Sequence, residues 1–263
     1  MANELYSVFS IFSFALGACI ASFLNVVIYR VPKGESIVRP PSHCPKCNAA
    51  IKWWQNIPIL SYIALRGRCA ACKTRISPRY LLVETIGAFL FLFAFWRFGI
   101  AAPLAWVWLS LMIAGSFIDY DYKLLPDFVT IGGIIYGIAI SVAGLGFTTW
   151  KLSLAGAIFG FGLLWLVRAL GSIAFRREAM GIGDVFLMGA IGAIFGPVAV
   201  LFCIIFSSLV GSIFGVTMIM LSKTRLGGFM EIPYGPYICA ACILWMFHGP
   251  EIVVSYLNVL GLN

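Results

Sequence analysis

The aspartates are the residues of this chain best suited to acid–base chemistry, and its 263 residues include only four of them. Asp119, Asp121 and Asp127 lie in the stretch FIDYDYKLLPD, and Asp184 follows two glycines in GIGD. Two carboxylates held close together cannot both ionise cheaply, so one of them keeps a proton near neutral pH. Such a pair can polarise a carbonyl with its acid and activate a water molecule with its base.

Each of these acids also has a structural interpretation. Asp127 follows Pro126, a residue suited to the first helical position, and a carboxylate there stabilises the helix dipole. Asp121 is equally consistent with a solvated charge in a loop. Asp184, taken by itself, is also consistent with an acid at a helix N-terminus. The glycines beside Asp184 favour a functional role, because they permit close backbone approach to the carboxylate.

A second chemical motif consists of four cysteines with the spacing Cys-x2-Cys-x21-Cys-x2-Cys: Cys44, Cys47, Cys69 and Cys72. This spacing is close to that of four-thiolate zinc sites, and we predict that the four bind one Zn²⁺. Two free thiol pairs are the alternative, since a reducing cytoplasm argues against disulfides. His43, beside Cys44, is expected to be a bystander.

The other four cysteines are expected to have no ligand. Cys239 and Cys242 repeat the x2 spacing inside an apolar segment, without a second pair. We predict that these two, with Cys19 and Cys203, are small buried apolar side chains.

The elements that must position these groups are strongly apolar. Hydrophobic residues make up 62% of the chain and charged ones 11%, and the mean hydropathy is +1.00. A soluble domain of this size could not bury so much apolar surface, whereas a segment of about 20 apolar residues spans a bilayer. The first segment lacks the basic start and cleavage site of a removable signal, so it is kept as a helix.

We therefore predict an all-α polytopic membrane protein with eight transmembrane helices and a ninth short segment, Ile252–Leu260, left open. The eight are Leu5–Tyr29, Tyr80–Phe98, Pro103–Ile118, Pro126–Gly146, Leu152–Ala174, Val185–Phe195, Val198–Leu221 and Tyr234–Phe247.

Charge predicts the orientation of this bundle. Ten of the 18 Lys and Arg residues lie between Arg30 and Arg79, opposed there only by Glu35, so this loop is placed in the cytoplasm. Alternating the helices from that loop brings all four aspartates to cytoplasmic helix ends. The net charge of +8 needs no nucleic acid, since anionic membrane lipid is a sufficient partner.

The predicted organisation has three parts. Residues 1–29 form the first transmembrane helix, 30–79 a cytoplasmic zinc-binding cap, and 80–263 a membrane-embedded helical bundle that carries the aspartates. Four thiolates around one ion would order a cap that has few apolar residues of its own.

Several blocks of the sequence resemble those of bacterial type IV prepilin peptidases. GACIASFLNVVIYRVP (17–32) and the segment 42–84, with both cysteine pairs, are similar to the N-terminal signature of that family. FIDYDYKLLPD and GIGD resemble its two aspartate motifs, and EIPYGPY (231–237) resembles its late proline–glycine element. The match runs in order from about residue 17 to 240.

The resemblance implies a bifunctional GxGD aspartic peptidase of the bacterial inner membrane. Such enzymes cut the basic leader from type IV prepilins or pseudopilins, after a glycine and on the cytoplasmic side. They then N-methylate the new N-terminal residue with S-adenosylmethionine.

The family's catalytic pair maps to Asp119 and Asp184, with Asp121 and Asp127 as supporting acids. The preference for Asp119 over Asp121 rests on the eight-residue spacing to Asp127. Where relatives often have a lysine two residues after the GxGD aspartate, this chain has Phe186. That difference removes a nearby cation but leaves the carboxylate.

The methyl-donor site cannot be derived from the residues themselves. No Gly-x-Gly-x-x-Gly motif follows a predicted strand, so the expectation that the chain uses S-adenosylmethionine rests on the resemblance alone. The region with Asn56, Arg66, Arg68 and Glu84 is favoured, without assigned ligands.

Three alternatives remain: a peptidase without methylation, a helical transporter, and a zinc-binding module on a membrane anchor. A transporter favours midplane acids within internal repeats, and a zinc module does not require paired acids. The sequence indicates neither which pilin is served nor the oligomeric state.

Overall fold

The computed structural model describes residues 2–178, 180–221, 233–259 and 261, and most of these residues are helical. They contain nine α-helices: α1 Ala2–Arg30, α2 Leu60–Ala64, α3 Pro78–Phe98, α4 Ala102–Tyr122, α5 Asp127–Val142, α6 Trp150–Phe175, α7 Ile182–Phe195, α8 Pro197–Leu221 and α9 Gly235–Val259. The described residues contain no β-strand, only two isolated bridges in the predicted cap, His43 with Ala50 and Arg68 with Arg75. The predicted all-α class is confirmed.

Helix boundaries differ from the predicted segments at two informative places. Helix α7 begins at Ile182, so Gly183 and Asp184 lie within its first turn. Helix α9 continues through Pro250 to Val259, so the segment left open as a ninth helix begins inside the eighth long one. A proline removes one backbone hydrogen bond, and a long helix can tolerate that loss.

Five stretches of the described chain are long and apolar enough to cross a membrane: Glu4–Lys33, Pro78–Tyr122, Trp150–Phe175, Pro197–Met218 and Gly235–Val259. Helices α5 and α7 are apolar but shorter, with 16 and 14 residues. At about 1.5 Å per residue, α7 is roughly 21 Å long, less than the ~30 Å hydrocarbon core. The chain is a multi-pass membrane protein, and the number of eight crossings stays a prediction.

The chain divides into two compact units, residues 1–114 and 115–263. In the first unit, α1 packs along α3 where Gly17 faces Gly87. A side chain at Gly17 would collide with the Gly87 carbonyl, and one at Gly87 would collide with Ala21. The predicted parts 1–29, 30–79 and 80–263 follow membrane and loop segments rather than contacts, and that division stays a prediction.

Helix α7 forms the core of the second unit, where it packs against α5 and α6. Its residues from Asp184 to Ile194 are buried except for Phe186. Gly192 of α7 meets Gly156 of α6 backbone to backbone, and Ser153 Oγ donates a hydrogen bond to the Ala193 carbonyl at 2.6 Å. Small residues allow this close approach, which places the N-terminal turn of α7 inside the unit.

Candidate active site

Two of the four aspartates are buried in the second unit. Asp119, near the end of α4, keeps 6% of its surface exposed, and Asp184, in the first turn of α7, keeps 8%. Their carboxylates are close enough to interact electrostatically, and Cys239 of α9 lies within electrostatic range of both. The structure therefore brings together the two acids that the resemblance singled out.

The other two aspartates are exposed. Asp121 lies two residues after Asp119, on the solvent side of the last turn of α4. Asp127 is the first residue of α5, and Pro126 is its N-cap rather than its first helical residue. A carboxylate in the first turn stabilises the helix dipole, which agrees with the structural interpretation of Asp127. Neither residue belongs to the buried pair, and their supporting role stays a prediction.

Asp119 is held by the backbone at the start of α9. The N–H of Gly235 donates to Oδ2 of Asp119 at 2.9 Å, in a buried hydrogen bond. Gly235 is the first residue of α9, so its N–H has no acceptor within the helix. A Cβ at this position would lie 2.7 Å from the same carboxylate oxygen. Close approach to Asp119 therefore requires glycine at position 235.

Tyr234, the residue before Gly235, ties this backbone to α8. Its hydroxyl lies 2.7 Å from Ser207 Oγ and 3.0 Å from Ser208 Oγ. These hydrogen bonds position the N–H that reaches Asp119. The roles of Tyr234 and Gly235 could not be predicted from the sequence, because the resemblance of EIPYGPY to a family element does not say what its residues do. Glu231 and Ile232 of that element lie outside the described residues.

Two glycines allow Asp184 to enter the buried site. A Cβ at Gly183 would lie 2.8 Å from Cβ of Leu125, and one at Gly181 would lie 3.4 Å from Oδ2 of Asp184. Gly183 is therefore needed for packing between the first turn of α7 and the segment that precedes α5. Gly181 leaves one side of the carboxylate open.

Helix α6 supports the turn that carries Asp184. Arg168 Nε donates to the Met180 carbonyl at 2.9 Å, and its Nη2 forms an ion pair with Glu178 at 3.1 Å. Phe186 packs its ring against Phe161 at a centroid distance of 5.2 Å. This pair of rings adds an apolar contact between α6 and α7.

In the first unit, the four predicted metal-ligand cysteines converge. The Sγ atoms of Cys44, Cys47, Cys69 and Cys72 all lie within 4.8 Å of one another, and those of Cys44 and Cys72 are 3.9 Å apart. Tetrahedral zinc with Zn–S bonds of about 2.3 Å separates its sulfurs by roughly 3.8 Å. The four thiols could therefore hold one metal ion of this kind.

Backbone hydrogen bonds hold Cys44 and Cys69 in tight turns. The N–H of Cys44 donates to the Ala49 carbonyl, and Cys69 makes the equivalent bond to Thr74. The backbone N–H groups of Cys47 and Lys46 lower the pKa of Cys44 to about 6, so its thiolate predominates at neutral pH. His43 lies outside the group of four cysteines, and its Nδ1 is 3.0 Å from the Pro41 carbonyl. Its bystander role stays a prediction.

The prediction for the remaining cysteines is right for three and wrong for one. Cys203, Cys239 and Cys242 are buried in the second unit, but Cys19 is exposed on the surface of α1. Helix α1 is apolar all around, so its sequence has no polar face from which to infer which side is covered.

Comparison with known proteins gives consistent matches along the chain. Residues 15–98 match the profile of the bacterial peptidase A24 N-terminal domain, and residues 106–216 match that of the type IV leader peptidase family. No solved structure gave a significant match.

Similar curated proteins carry one name, prepilin leader peptidase/N-methyltransferase. The chain is 42% identical to the Myxococcus xanthus protein over 81% of its own length, and it spans 64% of that relative. It is 36% identical to the Pseudomonas aeruginosa protein and 34% identical to the Pseudomonas putida protein, over 94% of this chain and 92% and 93% of those proteins. The buried aspartate pair and the cysteine cluster fall within the two matched profiles. The chain therefore belongs to the type IV leader peptidase family.

Proposed function

We propose that this chain is an inner-membrane aspartic endopeptidase that removes the leader of type IV prepilins or pseudopilins and N-methylates the new N-terminus. The observation that carries the proposal is the buried pair of Asp119 and Asp184 within the type IV leader peptidase profile. The names of the relatives support both activities. Cleavage follows a glycine of the prepilin.

Cleavage proceeds by attack of water on the scissile carbonyl carbon. One carboxyl of the pair is protonated and hydrogen-bonds the carbonyl oxygen, while its charged partner takes a proton from the attacking water. Breakdown of the tetrahedral intermediate returns a proton to the leaving amine, which becomes the new N-terminus. The N–H of Gly235 keeps Oδ2 of Asp119 in place during these transfers.

The reaction takes place on the cytoplasmic side of the membrane. Ten of the 18 basic residues lie in the stretch 30–79, and positive loops stay in the cytoplasm. Alternation of the apolar helices from that loop brings Asp119 and Asp184 to the same side. The apolar helix of the substrate lies in the bilayer, and its basic leader reaches the active site from the membrane surface.

Zinc has a structural role in the cap. Cys44, Cys47, Cys69 and Cys72 would supply four thiolates to one zinc ion, so no coordination position would remain for substrate. Metal binding would instead order a segment with few apolar residues of its own, and its binding free energy would contribute to folding.

Methylation uses S-adenosylmethionine as cosubstrate and takes place in the region of the cap. S-adenosylmethionine would supply the methyl group from its sulfonium, and the new amine would take up that group and release one proton. The N-terminal profile covers this region, which includes Asn56, Arg66, Arg68 and Glu84. Glu84 is buried, and its carboxylate accepts a hydrogen bond from the Ile59 N–H at 2.8 Å, so it supports the cap backbone.

Mass spectrometry of a co-expressed pilin tests both activities together. The wild-type chain should yield pilin cleaved after glycine and carrying one N-terminal methyl group, whereas Asp184→Asn should leave it full length. Cleaved but unmethylated pilin would show a peptidase only. Full-length pilin with the folded wild-type chain would refute the proposal and favour a transporter or a tethered zinc module.

A further inference from the structure

A basic cavity of about 600 Å³ lies in the first unit, at the junction between the cap and α3. It is lined by three arginines, Arg66, Arg68 and Arg75, together with Tyr62, Ser77 and Pro78. We call it the arginine cavity. Neither the acid pair nor the zinc cluster contributes a side chain to it.

The charge of the arginine cavity is uncompensated by protein. Among the described residues, no carboxylate lines it, and Glu35 is the only acid in the whole stretch 30–79. Arg68 and Arg75 are directly opposite each other in an isolated antiparallel bridge. Like charges in that arrangement repel, whereas an anion between them would convert the repulsion into attraction. The cavity is therefore built for a negatively charged ligand.

The walls of the cavity are held by the backbone. Tyr62 Oη donates to the Ile76 carbonyl at 3.3 Å, and the Ile76 N–H donates to the Gly67 carbonyl at 2.8 Å. A Cβ at Gly67 would lie 2.9 Å from Tyr62 Oη, and φ there is +64°. These contacts hold the backbone that carries the three arginines, whose side chains are exposed at the mouth of the cavity.

The position of the cavity along the chain indicates the source of the anion. Ser77 caps α3, and the apolar stretch that is long enough to span the membrane begins at Pro78. Where α3 crosses the bilayer from Pro78, the cavity beside its first turn would face the layer of lipid phosphates. The positive N-terminal end of α3 adds to the attraction.

We propose that the arginine cavity binds the phosphate group of an anionic phospholipid and so holds the cap on the membrane surface. Bidentate guanidinium contacts suit phosphate oxygens. S-adenosylmethionine, which we place in the wider region that includes Arg66 and Arg68, fits the arginine cavity itself poorly, because its sulfonium and ammonium groups carry positive charge. The site goes beyond the proposed function, since binding of a headgroup requires neither cleavage nor methylation.

The test measures lipid binding by the purified full-length protein. The protein in detergent is titrated with phosphatidylglycerol or phosphatidylcholine, and native mass spectrometry measures the lipid-bound fraction. Arg68→Gln with Arg75→Gln should weaken binding of phosphatidylglycerol about 25-fold, at about fivefold per arginine. Arg39→Gln with Arg176→Gln removes the same charge elsewhere and should change binding less than threefold. Phosphatidylcholine, which is neutral overall, should bind wild-type protein at least tenfold more weakly.

The proposal would be overturned by equal losses in the two double variants, by equal binding of the two lipids, or by displacement of phosphatidylglycerol by S-adenosylmethionine. Binding of inorganic phosphate without any lipid adduct would also overturn it, because the anion would then come from solution. Zinc content shows that the cap is folded. If the glutamine variant fails that check, Arg66→Gln alone should weaken phosphatidylglycerol about fivefold, and unchanged binding would refute the site.

Discussion

Gly235→Ala is the substitution that most directly tests how the first acid is held. Gly235 does not have a positive φ, so its backbone accepts alanine without strain. The added Cβ would instead lie 2.7 Å from Oδ2, 3.0 Å from Cγ and 3.2 Å from Cβ of Asp119. The perturbation is therefore confined to contact between one methyl group and one carboxylate.

The size of the effect follows from these distances. The carboxylate must move by roughly 0.7 Å to restore ordinary van der Waals contact at 3.4 Å. The hydrogen bond from the Gly235 N–H, now 2.9 Å, then lengthens to about 3.6 Å and is lost. A hydrogen bond to a charged group contributes about 1.5–3 kcal/mol, and a misplacement of ~1 Å can cost about 100-fold in rate. We expect kcat for cleavage to fall about 10- to 100-fold with little change in KM.

The assay is steady-state cleavage of a synthetic prepilin by purified protein. Gly211→Ala is the matched control, because its Cβ would meet the rings of Tyr237 at 3.6 Å and Tyr234 at 3.8 Å, both ordinary van der Waals contacts that leave the Tyr234 hydroxyl in place. That variant should stay within about twofold of wild type. Methylation of a pilin supplied already cleaved should be unchanged in both variants.

Full cleavage activity in a folded Gly235→Ala protein would refute this reasoning. It would mean that the hydrogen bond from α9 does not position Asp119 in the working enzyme. An equal loss in Gly211→Ala would show instead that the helix packing, rather than the carboxylate, had been disturbed.

Asparagine at either buried aspartate should abolish cleavage, and the double variant should be no worse, because the two acids act as one unit; a dead Asp121→Asn beside an active Asp119→Asn would move the first acid to position 121. Elemental analysis should find about one zinc per chain. The zinc should be lost when Cys44 and Cys47 are replaced by serine and kept when Cys239 and Cys242 are replaced. A metal-free protein with a protease-resistant cap would contradict a zinc site. Both aspartate variants should still transfer labelled methyl groups to pre-cleaved pilin, and loss of that transfer would show that the two activities share one site. Serine at the second cysteine pair of the cluster should damage methylation at least as much as cleavage, since the cap loses its local order.

Properties that depend on composition or on short spacing could be predicted from the sequence. The apolar segments indicate a helical membrane protein, because a run of about 20 apolar residues is stable as a helix across the hydrocarbon core of a bilayer. The cysteine cluster follows from spacing, since two x2 pairs on tight turns can surround one ion wherever the cap lies. The start of α7 at its glycines is equally local.

The identity of the first acid depends on packing. Asp119 and Asp121 are two residues apart on α4, so they point about 200° apart around its axis, and only one can face the interior. An apolar helix does not show which side is covered, for the same reason that the exposure of Cys19 was misjudged. The packing of α4 buries Asp119 and leaves Asp121 exposed, and this difference favours Asp119 as the proposed first acid.

The hydrogen-bond partner of Asp119 could not be predicted from any local sequence pattern. Gly235 is 116 residues away from Asp119 along the chain, and its N–H points at the carboxylate only because Tyr234 fixes the start of α9 on α8. Composition and spacing act over one or two helical turns. A hydrogen bond between distant backbone and side chain exists only after the helices have packed.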